Sequence, residues 1–343
     1  MTRPAGPAPA PSDGAVARSD GDPTVTRADV DAAAGRIAGY VRRTPVLAVD
    51  PAEAGGDAGD AGDGAGALWF KLEQLQETGT FKARGAVNRI RSAAEDGELT
   101  AAGVVTASGG NAGVAVAYAA ARLGVPAEIF VPTISAPAKV RRLHALGATV
   151  VQVGREYAEA HQAATARAAE TGAAFCHAYD QPAMVAGAGT LGVELWEQSG
   201  GVDTVLVAVG GGGLMAGVAA ALDGLARVVG VEPAGAPTLH AALAARRPTD
   251  VTVSGVAADS LGARRLGRIA FDVAVGCGVR SVLVDDDDLV AARRWLWDRY
   301  RLVVEHGAAA ALAALTAGVY RPEPEERVAV VLCGANTDPA DLR

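Results

Sequence analysis

The sequence predicts an α/β protein built on two open, mainly parallel sheets flanked by helices. Three observations carry that prediction. From Gly103 onward, short apolar runs alternate with longer helix-like stretches across brief connections, as parallel βαβ units require. The composition is rich in Ala, Gly and Val with only 4% aromatic residues, which suits Val-rich buried strands under close-lying Ala-rich helices. At 343 residues the chain is long enough for two lobes, and its strand segments fit two sheets better than one very wide one.

Residues 1–23, "MTRPAGPAPAPSDGAVARSDGDP", are Pro, Ala and Gly with scattered charge. They lack the continuous apolar core of a signal peptide and read as a disordered tail. Thr26 caps a helix beginning at about Arg27, with Ile37 and Val41 one turn apart. "RRTPVLAVD" is extended, because Pro45 keeps Thr44 out of helical space. Glu53 to Gly66 is nearly all Ala, Gly, Asp and Glu and reads as an exposed loop. "ALWFKLE" is a strand and "FKARGAVNRIRSAAED" a helix.

The regular alternation then begins. Strands "GVVTAS", "AEIFVP" and "ATVVQVG" enclose the helices "GGNAGVAVAYAAARLG", ending at Gly124, and "PAKVRRLHALG". A helix over Tyr157 to Thr171 follows. The alternation resumes through "GTLGVELWEQ", "TVLVAV", "GGGGLMAGVAAAL", "RVVGVEP", "SVLVDDDDLVAARRWLWDRY", "HGAAAALAALTAG" and "RVAVVLCGANTD".

Several function classes are excluded. The net charge of −8 and the lack of a basic block argue against nucleic acid, and no apolar run is long enough to cross a bilayer, so a cytoplasmic protein is expected. Cys176, Cys277 and Cys333 make neither a zinc spacing nor a disulfide framework. His144, His161, His177, His240 and His306 lack ligand spacing, and Asp285 to Asp288 read as negative charge at a helix N-terminus rather than as a metal site.

Four features carry chemistry. Gly210, Gly211, Gly212 and Gly213 lie between a strand and a helix, where successive backbone N–H groups and the positive helix end make a phosphate cradle. The turn "TASGGNAG" places Ser108, Gly109, Gly110 and Asn111 at a second strand–helix junction; it is ordinary capping chemistry or a seat for a small carboxylate. Cys333 at a strand end is a small buried hydrophobe or the neighbour of a neutral heteroaromatic nitrogen. Lys82, in "TGTFKARGAV", is a solvated charge or an amine waiting for a carbonyl. Pyridoxal phosphate carrying an amino acid offers a partner to all four.

In the motifs "TGTFKARGA", "TASGGNAGVAVAYAAARLG", "VGGGGLMAGVA", "GVEPAGAPTL", "AADSLGARRLGRIAF", "VVEHGAAAALAAL" and "VLCGANTD", the sequence resembles the fold-type II pyridoxal-phosphate enzymes. The likeness is to their serine/threonine dehydratase branch, from about Thr24 to the end. The resemblance implies that Lys82 is the Schiff-base lysine, which later moves the substrate protons, with Phe81 packed on the ring face and Asn111 bonded to the ring hydroxyl. It places Gly210 to Gly213 and Leu214 at the phosphate, Cys333 at the pyridine nitrogen and Glu305 near the ring. Ser108, Gly109, Gly110, Asn111 and Ala112 grip the substrate carboxylate. It also implies a large cofactor-binding domain of residues 24–98 and 181–343, a small mobile domain of residues 99–180, and a homodimer.

The implied reaction is α,β-elimination of water from L-threonine or L-serine, giving 2-oxobutanoate or pyruvate and ammonia. A neutral thiol at Cys333 keeps the ring a weaker electron sink than a carboxylate would, which favours prompt elimination. Gly109 stands where related serine racemases carry a second serine, which favours dehydration over racemisation. Ala112 replaces the histidine of many relatives. Glu232 matches a metal-ligand position, but its acidic partner is missing near Thr238. No divalent ion is expected there; a monovalent cation is the alternative, and a helix-terminal carboxylate is the other reading of Glu232. The loops Ala258 to Ser260 and Tyr179 to Val185 shape the pocket for the β-substituent. Because no regulatory domain follows "CGANTDPADLR", a short, catabolic-type enzyme is expected. The rivals are a lyase of another 3-hydroxy amino acid, a β-replacement synthase, a racemase and a non-catalytic cofactor-binding protein.

Overall fold

The computed structural model describes residues 24–54 and 66–342. The expected N-terminal tail and most of the expected loop at 53–66 lie outside the described residues. The chain opens with α1 (Arg27–Ile37), β1 (Val46–Val49), a short α2 (Pro51–Ala54), β2 (Leu68–Lys71) and α3 (Lys82–Glu95). Next come β3 (Val104–Ala107), α4 (Asn111–Leu123), β4 (Ala127–Val131), α5 (Pro137–Ala145), β5 (Thr149–Gln152), α6 (Tyr157–Thr171) and β6 (Ala174–Phe175). Then α7 (Pro182–Ser199), β7 (Thr204–Ala208), α8 (Gly213–Ala221), β8 (Arg227–Pro233) and α9 (Thr238–Ala245) follow. The described chain closes with α10 (Arg268–Gly276), β9 (Arg280–Val284), α11 (Asp286–Tyr300), α12 (His306–Thr316) and β10 (Val328–Val331).

Two sheets form, as expected. One has six strands in the order β1-β2-β10-β7-β8-β9, parallel except where β1 meets β2; the other has four parallel strands in the order β5-β4-β3-β6. The four-stranded sheet draws all its strands from residues 104–175. Thr26 caps α1 through a capping box with Asp29, and Asp285 caps α11 through one with Asp288, so that part of the acidic run serves as helix-terminal charge. Among the described residues no helix is long and apolar enough to cross a membrane.

Four local expectations need correction. Helix α1 ends at Ile37, so Val41 lies outside it. Glu53 and Ala54 belong to the α2 turn, with Ala54 buried in the core. Helix α7 begins at Pro182, whose fixed φ suits a first turn, well before Gly189. Strand β6 and helices α9 and α10 were not expected; β6 is two residues long, and α9 begins after Pro237 at the end of a loop-like run.

Small residues set the helix packing. A Cβ at Gly85 of α3 would lie 2.7 Å from the Met184 carbonyl of α7, and one at Gly187 would lie 2.6 Å from the Arg84 carbonyl. The two backbones can approach this closely only because neither position carries a side chain. A buried ion network locks the same junction. Arg84 donates to both oxygens of Glu73 (2.5 and 3.0 Å) and both of Glu194 (2.7 and 2.8 Å). Lys71 donates to Glu194 (2.8 Å), Gln198 (2.9 Å) and the Thr44 carbonyl (2.7 Å). The start of α3 is thereby fixed against residues 178–184.

Candidate active site

Ligand sites in open α/β sheets form beyond the carboxyl ends of parallel strands. The ends of β3, β7 and β10 lead here into Ser108, the four glycines and Cys333 respectively. The segment between β2 and α3 completes the site. It passes through two short 3₁₀ turns, with Thr78 at φ 66° and Gly79 at φ 75°. Thr80 then bridges to Gly334, and the Phe81 N–H donates to the Cys333 carbonyl (3.1 Å). Lys82 is the next residue and opens α3.

Lys82 is half-buried and lines a small pocket. Its Nζ donates to the Ala178 carbonyl at 2.8 Å and stands 4.9 Å from the centroid of the Phe81 ring. Burial pulls its pKa down to about 8 against the opposing pull of Cys333 and Glu305. Those two groups are shifted as well. Burial raises the Cys333 thiol well above its usual range, so it is neutral, and pushes Glu305 up to about 7. That small open pocket is bounded by Phe81, Lys82, Ala178, Tyr179 and Gly213 among others.

The glycines are required by close approach. A Cβ at Gly211 would meet the Tyr179 ring at 2.5 Å, and one at Gly212, with φ 87°, would meet Ala270 Cβ at 2.5 Å. The Gly211 carbonyl accepts from Gly267 N–H (3.0 Å), and the Gly210 carbonyl accepts from the Thr238 hydroxyl (2.5 Å). Leu214, the second residue of α8, is buried in the main core.

At the β3–α4 turn, Ser108, Gly109 and Gly110 are half-buried and Ala112 is buried. Asn111 turns its amide toward Glu305, the residue preceding α12, donating to its two oxygens at 2.9 and 3.1 Å. The structure thus links Phe81 to Cys333 and Asn111 to Glu305, brings Cys333 and Glu305 within electrostatic reach of Lys82, and lines the Lys82 pocket with Gly213 of the glycine loop.

Glu232 is committed elsewhere. It is fully buried and caps α9, accepting from Leu239 N–H (2.6 Å), His240 N–H (2.9 Å) and Ser281 Oγ (3.2 Å), while Thr238 Oγ1 lies 3.0 Å away with its one hydrogen toward the nearer Gly210 carbonyl. The helix-terminal reading of Glu232 therefore describes its surroundings. In the 258–260 loop, Asp259 pairs with Lys139 of α5 (2.7 Å), and Ser260 Oγ accepts from Gly307 N–H (3.0 Å).

Two contributors escaped the sequence reading. His177 Nδ1 accepts from the backbone N–H groups of Tyr179 (3.2 Å) and Asp180 (2.9 Å), and burial drags the ring's pKa down to about 4. The imidazole is therefore neutral with its proton on Nε2, and it shapes the turn that offers Ala178 to Lys82. Asn336 donates to Asn111 Oδ1 (2.7 Å). Neither residue has a local sequence signal, since spacing alone does not bring residue 336 to residue 111.

The site suits pyridoxal phosphate. The glycine loop presents bare backbone at the start of α8, the lysine pKa is lowered by burial, and the thiol is neutral. The buried side-chain polar atoms without a partner among the described residues are Gln74 Nε2 and Oε1, Thr78 Oγ1, Thr80 Oγ1 and Asn88 Oδ1, on either side of Lys82 in the sequence. Orphaned groups are rare in folded interiors and mark a place where a bound group or water completes the bonding.

Comparison with known proteins agrees. The family model described as "Pyridoxal-phosphate dependent enzyme" matches residues 37–334. Phenylserine dehydratase of Ralstonia pickettii is 40% identical over 324 residues, covering 92% of this chain and 96% of that protein. An L-threonine ammonia-lyase of Geobacter sulfurreducens is 39% identical over 251 residues, which span 72% of this chain and 62% of the relative. The solved structure of serine racemase from Dictyostelium discoideum superposes with a TM-score of 0.83 at 30% identity, covering 92% of this chain and all of that one (100%). A lysine at the head of α3, four glycines at the head of α8 and a cysteine beyond β10 thus converge in a chain that belongs to the pyridoxal-phosphate dependent enzymes, as a fold-type II member with serine/threonine dehydratase relatives.

Proposed function

We propose that the chain is an ammonia-lyase that removes water from a 3-hydroxy amino acid, yielding a 2-oxo acid and ammonia. The observation that carries this reading is the half-buried Lys82 amine at the pocket, held by the Ala178 carbonyl. With a pKa of about 8, about one amine in ten is neutral at pH 7, against fewer than about one in a thousand for an ordinary lysine. When bound, the cofactor supplies an aldehyde for that amine and a ring that delocalises the electron pair left at the α-carbon.

The residues that would hold it are Lys82 at the aldehyde carbon, Gly210 to Gly213 and Leu214 at the phosphate, Phe81 against the ring, Asn111 at the ring hydroxyl and Cys333 at the ring nitrogen. The Ser108 to Ala112 turn receives the substrate carboxylate at the start of α4. As a free amine beside the bound substrate, Lys82 would take the α-proton at Nζ. The neutral Cys333 thiol would leave the ring nitrogen without a carboxylate partner and the ring a weaker electron sink, which favours elimination of water. Residues 99–180 act as the small mobile domain. Its α5 reaches the other lobe through Lys139 on Asp259 and through Arg142, which donates to the Thr78 carbonyl (3.0 Å).

L-Threonine and L-serine are the first substrates to consider. A second reading, phenylserine, is favoured by the full-length similarity to a phenylserine dehydratase. The test is 2-oxo acid release from L-threonine, L-serine and L-phenylserine by the cofactor-loaded protein, with Lys82→Ala as the blank. Product with the wild type alone supports the lyase, and the rates rank the substituents. D-amino acid without 2-oxo acid would replace this reading with a racemase.

A further inference from the structure

Asn336 lies beyond the matched segment and contacts two groups in the site. Its Nδ2 donates both hydrogens, one to Asn111 Oδ1 at 2.7 Å and one to the Thr78 carbonyl at 3.0 Å. We propose that Asn336 is a positioning residue: it fixes the side-chain amide of Asn111 with its N–H end toward Glu305 and the cofactor seat.

Hydrogen-bond chemistry fixes the orientation of both amides. A backbone carbonyl only accepts, so Asn336 must face Thr78 with nitrogen. The same nitrogen faces Asn111, whose near end must therefore be oxygen. The far end of Asn111 is then nitrogen, which is what the Glu305 carboxylate requires. Two independent acceptors, Thr78 at one end of the chain of contacts and Glu305 at the other, force one orientation.

Asn336 also decides what happens when Glu305 gains a proton. Asn111 contacts that carboxyl while Lys82, Cys333, Arg142 and Asp259 act on it electrostatically, and burial raises its pKa to about 7. A carboxylic acid can donate to an amide oxygen, so Glu305 alone would let Asn111 turn over. Asn336, with no titrating group, holds it through the change. The two Glu305 oxygens lie too close together for both splayed hydrogens of Asn111 to serve them. One hydrogen is shared, and the other remains to donate to the ring oxygen of a bound cofactor.

The anchor is itself strained. Thr78 is a β-branched residue at φ 66°, a conformation rare outside Gly, Asn and Asp. Its carbonyl accepts from Arg142 as well as from Asn336, both at 3.0 Å. A side chain at Gly79 would come within 2.8 Å of Asn336 Oδ1, so the glycine leaves space for this contact.

The inference rests on the reading of Asn111 as a cofactor contact, and the test separates the two. Pyridoxal phosphate is titrated into wild type, Asn336→Asp, Asn111→Ala and the double variant, with absorbance, fluorescence and melting temperature recorded. The carboxylate introduced by Asn336→Asp keeps the shape but has no hydrogen to give, so Asn111 turns its N–H toward it and its carbonyl toward the seat. The expected result is a Kd raised about tenfold or more, the loss of one charge-assisted hydrogen bond, and a shifted absorption band. In the Asn111→Ala background the same change should add almost nothing. Equal affinity and an unshifted band in Asn336→Asp, or losses that simply add, would overturn the inference and leave a packing role. Failure of the wild type to bind pyridoxal phosphate would instead overturn the cofactor reading. Should Asn336→Asp not fold, Asn336→Ser, with one hydrogen to give instead of two, is read the same way.

Discussion

Lys71 and Lys82 are both lysines drawn out of water, and they sit on either side of one turn. Lys71 has three acceptors, one of them the Glu194 carboxylate, inside a network where two cations, Lys71 and Arg84, meet two anions, Glu73 and Glu194. Lys82 has one neutral acceptor, the Ala178 carbonyl, and its nearest acidic groups are themselves pushed toward their protonated forms. Burial pulls both lysines down, but only for Lys71 do ionised carboxylates in contact pull back. Burial alone therefore does not make a lysine reactive. What distinguishes the two is whether the protonated amine has been given a counter-charge.

Four experiments can break or sharpen that contrast. The largest effect is expected from Lys82→Ala, which should cut turnover by at least about a thousandfold while leaving the melting temperature near that of wild type, as removal of an activated nucleophile does. A melting temperature that collapsed with activity would place Lys82 with Lys71 as a structural residue. Next comes Arg84→Ala, which leaves Glu73 and Glu194 facing Lys71 alone and should destabilise the fold by about 3–5 kcal/mol in denaturant titrations. A small loss there would show that the network tolerates an unpaired carboxylate and weaken the comparison.

Glu305→Gln should act in the opposite sense on stability. The Glu305 carboxyl ionises near 7 when folded, against about 4.5 for an ordinary glutamate, so its protonated form is favoured by folding. That contribution is fully present below about pH 4.5 and is lost as pH rises through about 7. Glutamine removes the cost of ionisation. The variant should gain up to about 3 kcal/mol over wild type at pH 8 and nothing near pH 4, read from unfolding curves at both pH values. The smallest effect is on rate. Uptake of pyridoxal phosphate by cofactor-free protein should rise about tenfold per pH unit and level off above about pH 8, as the neutral Lys82 amine becomes dominant. A plateau reached only above about pH 10 would mean that the amine is solvated after all.

Much of the fold is legible locally. Thr26 with Asp29, Gly124 after α4 and the acidic start of α11 are short-range signals, each read over a single helical turn, and each marks an element end in the structure. Strand β6 is not legible, because two residues make no period, and α9 is not, because the carboxylate that caps it is Glu232, delivered from β8. In the site, Lys82, Gly210 to Gly213, Asn111 and Cys333 stand out because their chemistry is unusual for their place beside a strand or helix end. His177, with its two backbone donors, and Asn336 do not, since one looks like a loop histidine and the other like a C-terminal turn residue.

The order of residues is enough to establish the α/β alternation, the glycine cradle and the lysine at the head of a helix, because periodicity, backbone freedom and capping act over a few neighbouring residues. Folding in three dimensions assigns the partners. Lys82 meets a carbonyl 96 residues away, Asn111 meets a carboxylate 194 residues away, and Asn336 meets Thr78 across 258. It also turned Glu232 into a helix cap and left Lys82 without a carboxylate in hydrogen-bond contact. Desolvation and hydrogen-bond pairing depend on which groups are near in space, and such nearness across hundreds of residues leaves no mark on the local pattern.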